Sequence, residues 1–348
     1  MYALEQIAVP FSDEVACDIN AFENAMGLEF DPEVPPLPVS STRTFAEVHE
    51  PGEITALYVA RSADGAVVGT AWMFASTTDN QHLCFCRLAV GASHRRRGIA
   101  TRLLGAYAGF AADNDRTAML LGADFFHDGA EAFATSLGAT VGLRAHVNQL
   151  ALADVPEGMA DHWIATAEAF EGAAESYDLE WVPGPEYPDE LVDDMLAVYD
   201  VLANDAPMDD LPIGERHGTP EQLQAQTART IGFGRERWTL IARHRASGTP
   251  VGYTELFIPN DDPLRVYQGA TAVDSAHRGY ALGRWLKATT LQRVVAERPS
   301  TKYIRTFNAD SNDPMLAINN AMGFKPLYPA CRWVIDRADA ETWLEKRQ

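Results

Sequence analysis

The chain carries one motif twice. GAVVGTAWMF followed by CRLAVGASHRRRGIATRLL in the first half returns as GTPVGYTELF followed by GATAVDSAHRGYALGRWLK in the second. Gly65 pairs with Gly248 (248 − 65 = 183), and the same offset pairs Val68 with Val251, Gly69 with Gly252 and Phe74 with Phe257. It also pairs Ala89 with Ala272, Val90 with Val273, His94 with His277, Arg95 with Arg278 and Leu103 with Leu286. One offset held across two strands, a loop and a helix implies duplication of a whole domain, because the period far exceeds the roughly twenty to fifty residues of a solenoid repeat. A length of 348 residues fits two domains.

Within each half the order of elements is legible. ALYVARSADGAVVGTAWMF reads as a β-hairpin turning at Asp64-Gly65, and QHLCFCRLAV as a further strand. After a short Arg/Gly loop, IATRLLGAYAGFAAD has apolar residues at helical spacing (Ile99, Leu103, Leu104, Tyr107, Phe110). A buried strand, AMLLGADFF, a helix ending at Leu137-Gly138 and a terminal strand complete the half. The second half repeats the order, with its second helix ending at Met322-Gly323-Phe324 and CRWVID as its last strand. The boundaries read as residues 1–155 for the first domain, a linker and amphipathic helix over 156–176, and 177–348 for the second.

A hydrophobic content of 47% and a charged content of 22% are ordinary for a globular core. The acidic start MYALEQIAVPFSDEV lacks the apolar stretch of a secretory signal, and no apolar run is long enough for a bilayer, so a cytoplasmic protein without a membrane partner is expected. A net charge of −21 argues against nucleic acid. Cys17, Cys84, Cys86 and Cys331 are too few and too scattered for a disulfide framework, and Cys84 and Cys86 read as buried thiols. His127, His146, His217 and His244 lack metal-ligand spacing, so no metal site is expected.

Against that acidic background the run His94-Arg95-Arg96-Arg97 stands out. It lies between a strand and a helix as Arg-x-x-Gly-x-Ala (Arg95, Gly98, Ala100), and the second copy has Arg278, Ala281 and Gly283 at the same spacing. Small residues leave a row of backbone amides unblocked, and the helix that follows adds free N-terminal N–H groups and a positive dipole end. Arginine adds charge and bidentate capacity, so the loop suits a pyrophosphate. The Gly-x-Gly-x-x-Gly of dinucleotide folds and the Gly-Lys-Ser/Thr of a Walker loop are both missing.

Each half resembles a GCN5-related N-acetyltransferase (GNAT) domain, and the chain resembles the bacterial tandem members of that superfamily, of which mycothiol synthase is a loose relative. The resemblance implies an α/β (α+β) fold of two tandem GNAT domains, each a mixed, mostly antiparallel sheet flanked by helices, related by pseudo-twofold symmetry. It implies acetyl-CoA as cofactor. Leu88, Ala89 and Val90 in the first half, and Thr271, Ala272 and Val273 in the second, would meet the pantetheine arm. Arg95, Arg96, Arg97, Gly98, Ile99 and Ala100, with Arg278, Gly279, Tyr280, Ala281, Leu282 and Gly283, would meet the pyrophosphate. The tyrosine acid common in the family, four positions before the glycine that ends the second helix, is replaced by Ala134 and Asn319.

Glu255, mid-strand beside the motif strand, is the candidate base, or else a carboxylate that binds the acceptor; its counterpart in the first half is Trp72. Asn308 and Asn312 would reach the cofactor by resemblance, or else cap the next helix. These differences favour the second half as the catalytic one. Asp205, Asp209 and Asp210 form an acidic loop where the family builds its acceptor wall, suiting a cationic amine of a small molecule or peptide, antibiotic-related amines included, or else serving only as turn residues. The expected function is acetyl-CoA-dependent N-acetylation of a primary amine. The alternatives are a non-catalytic acyl-CoA-binding or regulatory module, and a mycothiol-synthase-like acetyltransferase.

Overall fold

The structure is a computed structural model and describes residues 2–123, 128–170 and 176–347. The strands are β1 (Ala3–Ile7), β2 (Glu53–Arg61), β3 (Val67–Ser76), β4 (Leu83–Val90), β5 (Ala118–Ala123), β6 (Thr140–Ala151), β7 (Tyr177–Val182), β8 (Arg235–His244), β9 (Pro250–Pro259), β10 (Arg265–Val273), β11 (Tyr303–Ala309) and β12 (Lys325–Asp336). The helices are α1 (Asp13–Phe30), α2 (Val39–Glu47), α3 (Ile99–Asp113), α4 (Asp128–Ser136), α5 (Met159–Ala169), α6 (Val192–Asp205), α7 (Pro220–Gly232), α8 (Leu282–Glu297), α9 (Asp313–Met322) and α10 (Arg337–Glu345). None is long and apolar enough to cross a membrane.

The chain forms two compact units, and neither is contiguous. The first holds residues 1–145, 208–214 and 328–348; the second holds 146–207 and 215–327. The sequence reading puts CRWVID at the end of the second half. The structure puts that strand in the first unit, where Cys331–Asp336 of β12 pair antiparallel with Ala123–Ala118 of β5. The pairing has a side-chain reason: Cys331, Trp333 and Ile335 alternate on one face of β12 and are all buried in the first unit's core.

In the first unit the strand order is β1-β2-β3-β4-β5-β12. The β4/β5 pair is parallel, and the other pairs are antiparallel. One face of the sheet packs on α3 through Ile99, Leu103, Leu104 and Tyr107 against Ala71, Met73 and Cys86. The Tyr107 hydroxyl donates to the carbonyls of Cys84 (2.7 Å) and Leu120 (3.0 Å), tying the helix to both parallel strands. Cys84 and Cys86 are buried free thiols, and burial pushes the Cys84 thiol up to about 11. The other face packs on α1 and α2, with Ile19 and Ala46 against Leu57, Val59 and Trp72.

The second unit repeats the pattern in the order β11-β10-β9-β8-β7, with β10/β11 parallel and the β7/β8, β8/β9 and β9/β10 pairs antiparallel. Its inner face packs on α8 and α5, with Met159 and Trp163 meeting Ala288 and Leu291. Its outer face packs on α6 and α7 through Met195, Val198 and Leu223 against Ile241 and Tyr253.

The duplication extends further than the offset of 183 reveals. Arg61 bonds Glu5, Asp18 and the Gly65 carbonyl, and Arg243 bonds Glu180, Asp194 and the Gly248 carbonyl. Tyr2 meets His94 at 3.2 Å, and Tyr177 meets His277 at 2.9 Å. The first strand of each unit is therefore related by an offset of 175 (180 − 5) and the first helix by 176 (194 − 18). The difference from 183 is extra loop between the first helix and the hairpin of the second unit.

Candidate functional site

Both motif strands leave one edge open where the cofactor arm is expected. In the first unit β4 pairs with β5 only from Leu83 to Arg87, while Leu88, Ala89 and Val90 pair on the β3 side with Ala71, Thr70 and Gly69. In the second, β10 pairs with β11 only from Arg265 to Tyr267, while Thr271, Ala272 and Val273 pair with Thr254, Tyr253 and Gly252 of β9. A register shift between Gln268 and Thr271 accompanies the parting. Backbone groups on such an edge lack strand partners and are free to bond an extended ligand. The hairpin glycines let the neighbouring strand press on the motif strand: a Cβ at Gly69 would lie 3.0 Å from the Ala89 carbonyl oxygen, and one at Gly252 would lie 2.9 Å from that of Ala272.

Each motif loop turns through two left-handed residues and then enters its helix. In the first loop these are Arg96 (φ 62°) and Gly98 (φ 78°); in the second they are Gly279 (φ 92°) and Ala281 (φ 59°). The two copies thus have the same backbone with the glycine at different places. Gly98 and Ala281 are the N-cap residues of α3 and α8. The first-turn amides behind them, from Ile99, Ala100, Leu282 and Gly283 onward, have no intrahelical acceptor, and together with the left-handed turn they make an anion-binding concavity. Arg97 and Tyr280 stand one residue before those caps. The open edge, the amide-lined loop and the helix end fit an acyl-CoA in both units.

The two first arginines of the loops are already engaged. Arg95 donates to both oxygens of Glu29 on α1 (2.7 and 2.7 Å) and to the Val90 carbonyl (3.0 Å). Arg278 donates to Asp205 at the end of α6 (2.6 Å) and to the Val273 carbonyl (3.0 Å). They brace the loop between the motif strand and the first helix. Asp205 is thereby an arginine partner. Asp209 and Asp210 lie in the segment that belongs to the first unit, where the Asp210 amide donates to the Gly142 carbonyl (2.9 Å).

The asparagines are also taken. Asn312 is the N-cap of α9, accepting from the Met315 amide at 3.3 Å. The Asn308 side chain accepts from Asn319 (2.9 Å) and Asn148 (3.4 Å) in a buried amide cluster. Asn319, at the position of the family's tyrosine, is 1% exposed, and Ala134 is 2% exposed. His127 lies outside the described residues; His146 faces Asp310 at 2.6 Å, and His217 faces Asp200 at 3.2 Å.

Glu255 is 3% exposed, on the face of β9 that meets α6. Its Oε1 accepts from Tyr187 (2.8 Å), from Tyr199 and from Thr239 (3.4 Å), and Arg237 Nε stands 4.0 Å away. The Arg237 guanidinium lies 3.8 Å from the centre of the Tyr187 ring. Among the described residues none donates to Oε2. Burial first, and the Glu255 charge second, push the Tyr187 and Tyr199 hydroxyls up, so both stay protonated and keep donating. A buried carboxylate held this way is aimed and has one oxygen to spare.

Sequence reading missed a second carboxylate of this kind. In the first unit Glu23, on α1, accepts at Oε1 from Thr70 (3.1 Å) and from the Trp72 indole N–H (3.0 Å). Trp72 occupies the position of Glu255 (255 − 183 = 72), and Glu23 that of Tyr199 on α6 (199 − 176 = 23). The acid and the aromatic have exchanged places between strand and helix.

Comparison with known proteins agrees with this geometry. Residues 20–139 match the acetyltransferase (GNAT) family. A tandem GNAT protein from the clavulanic acid biosynthesis pathway superposes with a TM-score of 0.77 at 24% identity, over 97% of this chain and 99% of that one. A GCN5-related N-acetyltransferase from Sphaerobacter thermophilus gives 0.65 at 13% identity, over 97% and 96%. A putative acetyltransferase from Pyrococcus horikoshii gives 0.55 at 13%, over 96% and 89%. No curated protein matches the sequence. Residues 20–139 are thus similar to an acetyltransferase (GNAT) domain, and the chain as a whole has the tandem GNAT fold.

Proposed function

We propose that this chain is an acetyl-CoA-dependent N-acetyltransferase acting on a primary amine of a small molecule or peptide, with the second unit carrying turnover. The observation that carries the reading is Glu255, buried beside the open edge Thr271–Val273 with Oε1 pinned and Oε2 uncommitted. Bound acetyl-CoA supplies an activated thioester acyl group. The amides of Ala281, Leu282 and Gly283 would hold its pyrophosphate, and Thr271, Ala272 and Val273 its pantetheine arm. Oε2 of Glu255 takes a proton from the ammonium form of the acceptor, leaving the neutral nucleophile that attack requires. Tyr187, Tyr199 and Thr239 hold the carboxylate in place, and the neighbouring Arg237 supports its charge.

The acceptor class follows from the charge: a carboxylate with an uncommitted oxygen favours a cation. Antibiotic-type amines, as objects of tailoring or resistance, suit a fold whose neighbour belongs to clavulanic acid biosynthesis. The second reading, a non-catalytic acyl-CoA-binding module, is favoured by Ala134 and the committed Asn319 at the positions of the tyrosine acid.

One experiment separates them. Glu255→Gln keeps the shape and the Oε1 bonds but removes the basic oxygen, so kcat/KM for the amine falls about a hundred- to ten-thousand-fold at neutral pH. The loss shrinks as pH rises and the amine deprotonates unaided. Amine-dependent thiol release, with the gain of one acetyl group in mass, is the readout over a panel that includes a cysteinyl pseudo-disaccharide. CoA binding without transfer to any amine points to the module; transfer that survives Glu255→Gln removes the role given to that residue.

A further inference from the structure

We infer that the first unit carries a second amine-binding site of its own, built on Glu23. Four observations meet there. The Glu23 carboxylate lies over β3, anchored through Oε1 by Thr70 and Trp72, and no described residue donates to its Oε2. The side chain is half-buried, more open than Glu255 at 3% exposure. Thr70 and Ala89 are direct partners across β3 and β4, so Glu23 stands on the face of the sheet that the open edge Leu88–Val90 presents through Ala89. The loop after that edge has its glycine at the helix cap, Gly98, where the second copy has Ala281.

The comparison of the two units explains why this carboxylate is more than a partner for Trp72. In the second unit the strand supplies the acid and the helix supplies a donor, Glu255 and Tyr199. In the first the helix supplies the acid and the strand supplies the donors, Glu23 with Trp72 and Thr70. A replacement that only needed to fill space would have put an apolar pair there. Instead a charge persists at the same layer of both units, each time fixed by one oxygen and open at the other. A half-buried carboxylate whose second oxygen has no protein donor is suited to bind a primary ammonium group. Arg87, on the same face through its pairing with Trp72, has its guanidinium 5.3 Å from the centre of the Phe45 ring.

The inference rests on the reading of the chain as an amine acetyltransferase only for the class of ligand, and the test reads binding alone. The Trp72 indole N–H reports directly on Glu23, so its amide-type NMR cross-peak, assigned through Trp72→Phe, is followed in the full chain while 1,4-diaminobutane is added. The neutral isostere 1,4-butanediol is the control. The expected result is a saturable shift with the diamine and none with the diol. The shift survives in Glu255→Gln, and its half-saturation weakens at least tenfold in Glu23→Gln. Gln keeps an acceptor for Thr70 and Trp72; should it unfold the unit, as seen by loss of the Tyr107-side core signals, Glu23→Asp provides the shorter carboxylate with an intermediate effect. A Trp72 signal that ignores the diamine, or moves equally in Glu23→Gln, overturns the site. Failure of acetyl transfer with the Trp72 shift intact would instead remove the catalytic reading of the second unit and leave this site standing.

Discussion

Lys287 gives the sharpest quantitative test of the second unit's packing. It lies on α8, is 1% exposed, and its ammonium faces the Phe324 ring, 5.4 Å from the centroid. Among the described residues it has no carboxylate partner. Its counterpart in the first unit is Leu104, also fully buried (287 − 183 = 104). Burial lowers the Lys287 pKa from 10.5 to about 7. A folded value below the unfolded one means that between about pH 7 and 10.5 the unfolded chain holds the extra proton, so stability rises with pH across that window. Below pH 7 both states are protonated and the full cost remains. At about 1.4 kcal/mol per unit, that cost amounts to roughly 5 kcal/mol. Lys287→Met keeps the unbranched stem and discards the charge, so it is expected to stabilise the second unit at pH 7 by about 3–5 kcal/mol, or roughly 10 °C in melting temperature. Denaturant unfolding followed by calorimetry at about pH 6.5, 8 and 9.5 measures both the offset and the slope. If the parent and Lys287→Met share midpoints and the same pH slope, the buried charge is compensated and the account of this helix face is wrong.

Two further outcomes bear on the loops. Ala281→Gly relieves a left-handed alanine and is expected to raise the second unit's stability by about 0.5–1 kcal/mol, whereas Gly98→Ala lowers the first unit's by a similar amount; thermal melts of the two variants decide. Arg278→Glu and Arg95→Glu each break a brace between loop and first helix, and calorimetry should show CoA affinity falling at least tenfold at the unit altered; parental affinity in the double variant would mean the loops do not hold the pyrophosphate.

The repeated loop and strands were legible because backbone needs constrain them directly. A glycine or alanine at a left-handed cap, a glycine pressed on a strand carbonyl and an apolar helix face all leave marks at fixed spacing, as at Gly69/Gly252 and Leu103/Leu286. What depended on partners far along the chain was not legible. Comparing the copies position by position makes Trp72 look like the loss of an acid, because the compensating Glu23 arrives from a helix with a different offset. The same shift of register hid the engagement of Arg95 by Glu29 and of Arg278 by Asp205. The placement of CRWVID was hidden for another reason. An alternating apolar strand suits either unit, and its pairing with β5 is decided by which sheet leaves an edge to fill.

That strand has a consequence for how the molecule is made. On the ribosome the N-terminal unit emerges first, yet β5 cannot acquire its neighbour until residue 336 has been synthesised, more than two hundred residues after β5 itself. Throughout that interval β5 presents an unpaired edge, which is the kind of surface that nascent chains shield with chaperones or lose to aggregation. Division of the gene at the midpoint would therefore leave β5 without its β12 partner. The duplicated halves, whatever ancestor they came from, have become a single unit of inheritance.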